Sequence, residues 1–169
     1  MPETPEPLLA RLEAVGIPAV THHHPPLHTV AESQALRGDL PGLHVKNLFL
    51  QAKPPQPFLL VVAEENAPLS INALARRLGT GRLSMASAEE LWERLGVRPG
   101  SVTPLALVNA APGSVRTVID RRLLEGAGPV NLHPLTNEAT TALAPADLRR
   151  FVEALGHALE PLDLAEPLA

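Results

Sequence analysis

A lysine and an asparagine stand side by side in HVKNLFLQA, residues 44–52, a stretch that otherwise has the pattern of a β-strand. Burying an amide without a partner costs about 1 to 3 kcal/mol, and burying a cation costs more, so Lys46 and Asn47 need a reason to be there. Lys46 has two interpretations. It is an edge-strand lysine that faces water and prevents aggregation, or a cation at a pocket mouth that holds a phosphate or polarises a carbonyl.

Four histidines, His22, His23, His24 and His28, lie close together in HHHPPLH. Imidazoles at such spacing could ligate zinc if two of them converged with a carboxylate. Neighbouring residues of an extended segment point to alternate sides, so His22 and His24 can share a face that His23 does not. There is no HExxH motif, and the obvious carboxylate, Glu32, is expected to cap a helix. We therefore expect a solvated loop with at most one functional histidine, and neither a metal nor another cofactor.

Further polar side chains interrupt or flank apolar patterns at Asn109, Asn131 and His133. For His133, which precedes Pro134, two interpretations stay open: a satisfied histidine in a turn, or a hydrogen-bonding group that works in either protonation state. The segment GVRPGSVTP at 96–104 also has two interpretations. It is a connector between a helix and a strand, or a loop whose exposed amides bind an acyl group or a terminal nucleotide.

Composition and missing motifs exclude several classes of protein. The 169 residues are 45% hydrophobic and 19% charged, which is an ordinary globular composition. The absence of cysteine excludes disulfides, thiolate metal sites and a cysteine nucleophile. No G-x-S-x-G, Walker or G-x-G-x-x-G motif supports a serine nucleophile or a nucleotide-phosphate loop. The net charge of -4 argues against general coating of nucleic acid and leads us to expect no DNA partner, although a local basic patch is compatible with it.

Helix caps and hydrophobic spacing predict the elements that must position these side chains. Ser70 and Ser87 begin helices that end at Gly79 and Gly96, the second with a capping box. Other helices are predicted from Thr4-Pro5 to Gly16, over 30–37 behind the capping box of Thr29 and Glu32, and from Pro145 to about Leu155. Strands are predicted at 17–21, 45–52, 58–63, 105–110, 115–120, 129–132 and 139–143.

This order of elements mixes helices and strands without strict alternation. It favours an α+β fold with a largely antiparallel or mixed sheet, and we expect residues 1–169 to form a single compact domain. No apolar run approaches the roughly 20 residues needed to cross a bilayer, and the start MPETPEPLL lacks the pattern of a signal peptide. We therefore expect a cytoplasmic protein without a membrane partner.

Four motifs taken together resemble a known family: VKNLFL, SINALARRLG, GRLSMASAEELWERLGVRPGSVTPLALVN and NLHPLTNEATTAL. They are similar to the YbaK/ProX family of aminoacyl-tRNA deacylases, and most of all to its branch that clears alanine from proline tRNA. The resemblance runs from about residue 20 to 157. It implies a strongly curved, barrel-like sheet flanked by helices. It also implies hydrolysis of the ester that joins a wrong amino acid to the 3′-terminal adenosine of a tRNA.

The resemblance also implies roles for individual residues. Lys46 engages the acceptor end of the tRNA with Asn47 beside it, the loop at 100–104 lines the site, and His133 with Pro134 contributes to the acyl pocket. The cysteine-clearing branch lacks both residue pairs, which favours alanine as the acyl group. The predicted catalytic residues are therefore Lys46, Asn47 and His133, and the predicted substrate-binding residues are Gly100, Ser101, Val102, Thr103, Pro104, Leu132 and Pro134.

The predicted partner is the acceptor end of a mischarged tRNA, with prolyl-tRNA synthetase as a further candidate. An aminoacyl ester is already activated, so orientation and oxyanion stabilisation suffice without a covalent nucleophile, and the RNA 2′-hydroxyl can assist. Three alternatives stay open: a deacylase for Cys-tRNA or another small mischarged residue, a metal hydrolase built on the histidines, and a non-catalytic nucleic-acid-binding module. The last would use Lys46 and basic residues such as Arg76, Arg77 and Arg82.

Overall fold

The computed structural model describes residues 1–26, 32, 35 and 40–168, which form one mixed sheet flanked by helices. The helices are α1 (Pro5–Ala14), α2 (Ile71–Leu78), α3 (Ala88–Leu95), α4 (Arg121–Glu125) and α5 (Pro145–Ala154), with a 3-10 helix at Pro104–Asn109. The strands are β1 (Val20–His23), β2 (Leu43–Gln51), β3 (Phe58–Glu64), β4 (Ser84–Met85), β5 (Val115–Asp120), β6 (Val130–Leu132), β7 (Ala139–Leu143) and β8 (Leu159–Leu162). His28 and nearly all of the helix predicted over 30–37 lie outside the described residues.

The strands follow the order β1-β7-β6-β2-β3-β5-β8, and β4 pairs with the end of β2. The pairs β1–β7, β6–β7, β2–β3 and β2–β4 are antiparallel, while β2–β6, β3–β5 and β5–β8 are parallel. The predicted mixed sheet flanked by helices is therefore confirmed. The sheet is not closed, because the edge strands β1 and β8 do not pair with each other in the part of the chain that is described.

The side chains of β2 divide between two hydrophobic cores, because successive residues of a strand point to opposite faces of its sheet. Leu43, Val45 and Phe49 join the larger core, which α1, α3 and α5 cover. Leu48 and Leu50 join the second core, on the face where α2 packs. These alternating positions fix the orientation of every residue between them.

The two serine caps form as predicted. The Ser70 hydroxyl accepts a hydrogen bond from the Ala73 N–H at 3.2 Å, at the start of α2. At the start of α3 the Glu90 N–H donates to the Ser87 hydroxyl at 3.1 Å, and the Ser87 N–H donates to the Glu90 carboxylate at 2.9 Å. No helix of the described residues is both long enough and apolar enough to span a membrane.

The strand predicted at 105–110 is wrong, since this segment is the 3-10 helix Pro104–Asn109. The Thr103 hydroxyl accepts a hydrogen bond from the Leu105 N–H at 3.2 Å, and Pro104 sets the first helical position. A run of buried apolar residues fits a strand or a buried helix equally well, so periodicity alone did not separate the two.

The loop predicted for the histidine segment is wrong in part. His22 and His23 belong to β1, opposite Thr140 and Ala139 of β7, so the strand predicted at 17–21 starts and ends later than expected. Pairing with β7 extends the regular structure up to the residue before His24.

Candidate functional site

Several of the predicted site residues lie on or directly after the strands that border a gap in the sheet beside β2. The parallel pairing of β2 with β6 covers only Leu43 opposite Val130 and His44 opposite Asn131. Beyond that point β2 continues along β3 and β6 along β7, and β4 joins this edge of β2 only at Leu50. The Ala86 N–H, directly after β4, also donates to the Phe49 carbonyl at 3.0 Å, so the gap lies beside residues 45–48, and we call it the notch. Within the described residues no strand pairs with this stretch of the edge.

Lys46 and Asn47 leave β2 on opposite faces of the sheet. The Lys46 ammonium donates a hydrogen bond to the carbonyl of Ala67, a residue of the second core just before α2. The Asn47 Nδ2 donates to the Val102 carbonyl at 2.9 Å, and Val102 packs against the larger core. The two residues adjoin in sequence but reach different loops.

The surroundings of Lys46 do not fit an edge-strand lysine that faces water. β2 is an inner strand in the strand order, although its edge at Lys46 borders the notch, and Lys46 pairs opposite Ala63 of β3. Its side chain is half-buried, and the ammonium group is hydrogen-bonded to Ala67. The second interpretation, a cation at a pocket mouth that holds a phosphate or polarises a carbonyl, stays a prediction.

The loop at 100–104 lies on the face of the sheet that carries the larger core. Ser101, Thr103 and Pro104 are buried, and the Ser101 N–H donates to the Arg98 carbonyl at 3.0 Å. Gly100 is exposed and has a φ of 91°, in the left-handed region that favours glycine. A Cβ added there would lie 3.6 Å from the Asn137 Nδ2, so the loop lies against the turn that follows β6.

That turn begins with His133 and Pro134, directly after Leu132 at the end of β6. Leu132 is 1% exposed and belongs to the larger core, Pro134 is buried and His133 is half-buried. The register of β2 with β6 ends at His44 opposite Asn131. His133 comes directly after the last residue of β6, in the turn that follows the point where the two strands have separated.

Two of the polar residues singled out in the sequence hold the fold together. Asn109 donates to the Leu95 carbonyl at 3.0 Å and accepts from the Glu3 N–H at 2.8 Å, which ties the end of α3 to the N-terminal segment. Asn131 donates to the carbonyls of Pro41 and Leu43 at 3.0 and 3.1 Å. Their partners satisfy both amides, which accounts for their place near apolar strands.

The three described histidines of the segment, His22 to His24, do not belong to a group that could hold a metal ion. His24 contacts the Thr140 hydroxyl and the Pro25 carbonyl, both at 2.9 Å, while His22 and His23 are exposed. Among the residues outside the gaps at 27–31, 33–34 and 36–39, no three His, Asp or Glu side chains are placed to hold a metal ion.

The strongest electrostatic feature that sequence reasoning missed is Asp120, which is 0% exposed at the end of β5. It accepts hydrogen bonds from the Glu64 N–H and the Arg122 N–H at 3.1 Å, and from the Arg122 guanidinium at 2.8 Å. Burial raises the pKa of Asp120, but these hydrogen bonds together lower it more, so its pKa lies below the usual value. Asp120 caps α4 and joins β5 to β3. The sequence pattern that could have predicted this role is an aspartate placed between an apolar strand and the helical segment RRLLE.

Comparisons with known proteins point to aminoacyl-tRNA editing. The family model described as "Aminoacyl-tRNA editing domain" matches residues 24–151. The chain is 41% identical over 147 residues to "Prolyl-tRNA synthetase associated domain-containing protein 1" of Danio rerio, covering 86% of this chain and 79% of the relative. It is 30% identical over 157 residues to "Prolyl-tRNA editing protein ProX" of Acetoanaerobium sticklandii, covering 93% and 95%.

A solved crystal structure, described as that of "a putative trans-editing enzyme for prolyl tRNA synthetase", superimposes with a TM-score of 0.72. The match covers 99% of this chain and 100% of that one at 22% identity. Likeness at that identity shows the fold alone, and it agrees with the mixed sheet flanked by helices.

Proposed function

This chain belongs to the aminoacyl-tRNA editing domain family, and on that premise we propose that it acts in trans as a deacylase of mischarged tRNA(Pro), with Ala-tRNA(Pro) as its substrate. Water adds to the ester carbonyl, the bond from the acyl carbon to the ribose oxygen breaks, that oxygen takes up a proton to become a hydroxyl, and free alanine is released. The observation that carries the proposal is the hydrogen bond from Asn47 to Val102. It joins Asn47 to the loop at 100–104, while its neighbour Lys46 reaches the Ala67 carbonyl on the opposite face.

The proposed mechanism relies on orientation. An aminoacyl ester is already activated, so groups that position it and stabilise the developing oxyanion can accelerate hydrolysis without a covalent intermediate. In this proposal Lys46 places its charge against the acceptor end, while His133 offers a hydrogen-bonding group from the turn that follows β6. Asn47 is a positioning residue, because it acts through the Val102 carbonyl. The substrate's own 2′-hydroxyl, which only RNA has, assists in activating water.

Selectivity for alanine has a physical cause in this proposal. A synthetase pocket that fits proline excludes alanine by only about 1 to 3 kcal/mol, because the smaller residue merely loses a few methylene contacts. A second site must therefore be too small for proline. Leu132 and Pro134 are buried, and Val102 packs against the same core as Leu132. We propose that these three residues form the wall of the acyl pocket.

The proposed function also indicates a location and a partner. Mischarged tRNA is produced during translation, so we propose that the protein works in the cytoplasm. The Danio rerio relative is named as a domain associated with prolyl-tRNA synthetase. We propose that synthetase as a second partner, since it supplies the substrate.

The experiment that tests the function is a panel of charged tRNAs: Ala, Cys, Ser and Pro on tRNA(Pro), and Ala on tRNA(Ala). We expect the intact protein to hydrolyse Ala-tRNA(Pro) fastest and Lys46→Ala to lose most of that activity. Fastest hydrolysis of Cys-tRNA(Pro) would replace alanine by cysteine as the substrate. Binding that protects the ester in every case would refute the deacylase and favour a non-catalytic module. Activity that chelation abolishes would favour a metal hydrolase.

The same panel defines the role of Lys46. A single-turnover rate at saturating protein reports chemistry, while the dependence of the rate on protein concentration reports binding. If Lys46→Ala binds tRNA more weakly but keeps the saturated rate, Lys46 only anchors the RNA. Lys46→Arg retains the charge but changes its geometry, so it separates a need for charge from a need for the ammonium group.

A further inference from the structure

Positive charge is strongly segregated in this acidic chain. Segments 40–63 and 66–88 contain no Asp or Glu, although the whole sequence has 18 of them. The same two segments carry five of the 14 Lys and Arg residues, namely Lys46, Lys53, Arg76, Arg77 and Arg82. The rest of the chain therefore holds nine cations against all 18 acids. One part of the surface is basic, and the remainder is more acidic than the net charge of -4 suggests.

The fold brings four of these cations to one end of the sheet. β2 pairs with β4 through Leu50 opposite Met85 and Gln51 opposite Ser84, so Lys53, two residues after β2, and Arg82, two residues before β4, lie at the same end of this strand pair. The turn that follows β2 is also tied to the segment after α2, because the Gln56 amide donates to the Thr80 carbonyl at 2.9 Å. Lys53 and Arg82 are both exposed.

Arg76 and Arg77 lie in the last turn of α2, just before Gly79, and both are exposed. We call Lys53, Arg76, Arg77 and Arg82 the basic cluster. Within the described part of the chain, none of the four forms an ion pair.

Glu160, a carboxylate close enough to Arg77 to feel its charge, is already engaged by another residue. Arg77 helps to lower the pKa of Glu160, but the larger cause is the hydrogen bonding of Arg116. The Arg116 guanidinium contacts both oxygens of Glu160 at 2.8 Å. The basic cluster thus keeps its charge available for a partner.

We propose that the basic cluster is a docking surface for the phosphate backbone of the tRNA acceptor arm, which it holds while the 3′ end lies at the notch. This inference rests on the proposed function. Lys and Arg side chains that neutralise phosphates supply most of the sequence-independent affinity for nucleic acid. Patches of one sign in a chain of the opposite net charge also orient the encounter.

The positions of Lys46 and the basic cluster along β2 and α2 agree with this mode of binding. Lys46 and Lys53 are seven residues apart on and just beyond β2, which spans about 23 Å at ~3.3 Å per residue. α2 also leads from the Ala67 side of Lys46 to Arg76 and Arg77. Phosphates along one strand of a duplex follow every few ångströms, so the backbone between the notch and the basic cluster covers several nucleotides.

The test measures the salt dependence of binding to deacylated tRNA(Pro) between 50 and 200 mM KCl. Two double variants remove the charge of the cluster: Lys53→Gln with Arg82→Gln, and Arg76→Gln with Arg77→Gln. The matched control is Arg121→Gln with Arg149→Gln. These two arginines are also exposed but already form ion pairs, with Glu125 at 3.3 Å and Glu153 at 3.6 Å.

We expect each cluster variant to lower the slope of log K against log salt by about 2, one for each lost phosphate contact. Across this salt range that is about a 16-fold difference. KM for Ala-tRNA(Pro) should rise while the saturated rate stays, and the control should match the wild type. Unchanged slopes in the cluster variants, or an equal loss in the control, would overturn the docking surface.

The two proposals fail in different ways. If the protein hydrolyses Ala-tRNA(Pro) but the cluster variants have the same salt slope as the wild type, the proposed function stands and the docking surface is overturned. Salt slopes that fall only in the cluster variants, without hydrolysis of any charged tRNA, would support the docking surface and refute the deacylase. Thermal unfolding of each variant checks that the exchanged side chains leave the fold intact.

Discussion

Replacing Asn47 by alanine removes the side chain that ties β2 to the loop at 100–104. A hydrogen bond like that from Nδ2 to the Val102 carbonyl contributes about 0.5 to 1.5 kcal/mol net, and an acceptor left without a donor costs about 1 to 3 kcal/mol. The Asn47 Oδ1 is buried without a hydrogen-bond partner among the described residues, so its removal recovers part of a desolvation cost. We expect Asn47→Ala to lower the free energy of unfolding by about 1 to 2 kcal/mol.

Chemical denaturation and thermal unfolding measure this loss. In a chain of this size, 1 kcal/mol lowers Tm by about 2 to 4 °C. Asn47→Asp is the matched variant, because it keeps the shape but turns a carboxylate oxygen toward the Val102 carbonyl. We expect it to destabilise more than alanine does. A loop shifted by about 1 Å lowers the rate by roughly 100-fold, so kcat/KM for Ala-tRNA(Pro) should fall in both variants.

Two outcomes would contradict this reasoning. An Asn47→Asp protein as stable and as active as the wild type would show that the donor is not needed. A loss of activity in Asn47→Ala with no change in unfolding, and with the loop unmoved in a crystal structure, would give Asn47 a direct role toward the substrate. Lys46→Ala serves as a comparison, since its side chain reaches Ala67 on the other face and should leave the loop in place.

Other predictions concern the buried carboxylate and the pocket wall. Asp120→Asn should lower the free energy of unfolding at neutral pH by about 1.5 to 3 kcal/mol, because hydrogen bonds to a charged group are lost. Since the pKa of Asp120 is depressed in the folded state, its contribution is present above about pH 4 and is lost as the pH falls through the lower folded value. Acid titration of stability should therefore be flatter in Asp120→Asn than in the wild type. Val102→Ala should increase hydrolysis of Pro-tRNA(Pro) relative to Ala-tRNA(Pro), and failure of every such enlargement, including Leu132→Val, would argue against a steric sieve.

Local chemistry made much of the fold predictable. Ser70 and Ser87 carry their caps within three residues of the chain, so the starts of α2 and α3 follow from short-range hydrogen bonds. Strands β5 and β7 were predicted with their observed bounds, because turn signals border each apolar run. The prediction failed at 105–110, where a cap at Thr103 competes with a pattern that fits a strand.

The site was less accessible to sequence reasoning, because its contacts join distant segments. The partners of Lys46 and Asn47 are carbonyls of Ala67 and Val102, and a backbone carbonyl leaves no mark in the sequence. Their orientation was accessible: a period of two in a strand already places neighbours on opposite faces. The parallel pairings of β3 with β5 and of β5 with β8 have no local signal either.

The pairing that borders the notch also has a kinetic consequence. Leu43 of β2 meets Val130 of β6, 87 residues later in the chain, and most of that separation remains even when β2 and β3 have formed their hairpin. Pairings of such long sequence separation form slowly, because the entropy of closing the loop is lost before the contact repays it. During synthesis the pairing of β2 with β6 cannot form until β6 has left the ribosome. The notch is therefore assembled late, and truncated chains that end before β6 should lack it entirely.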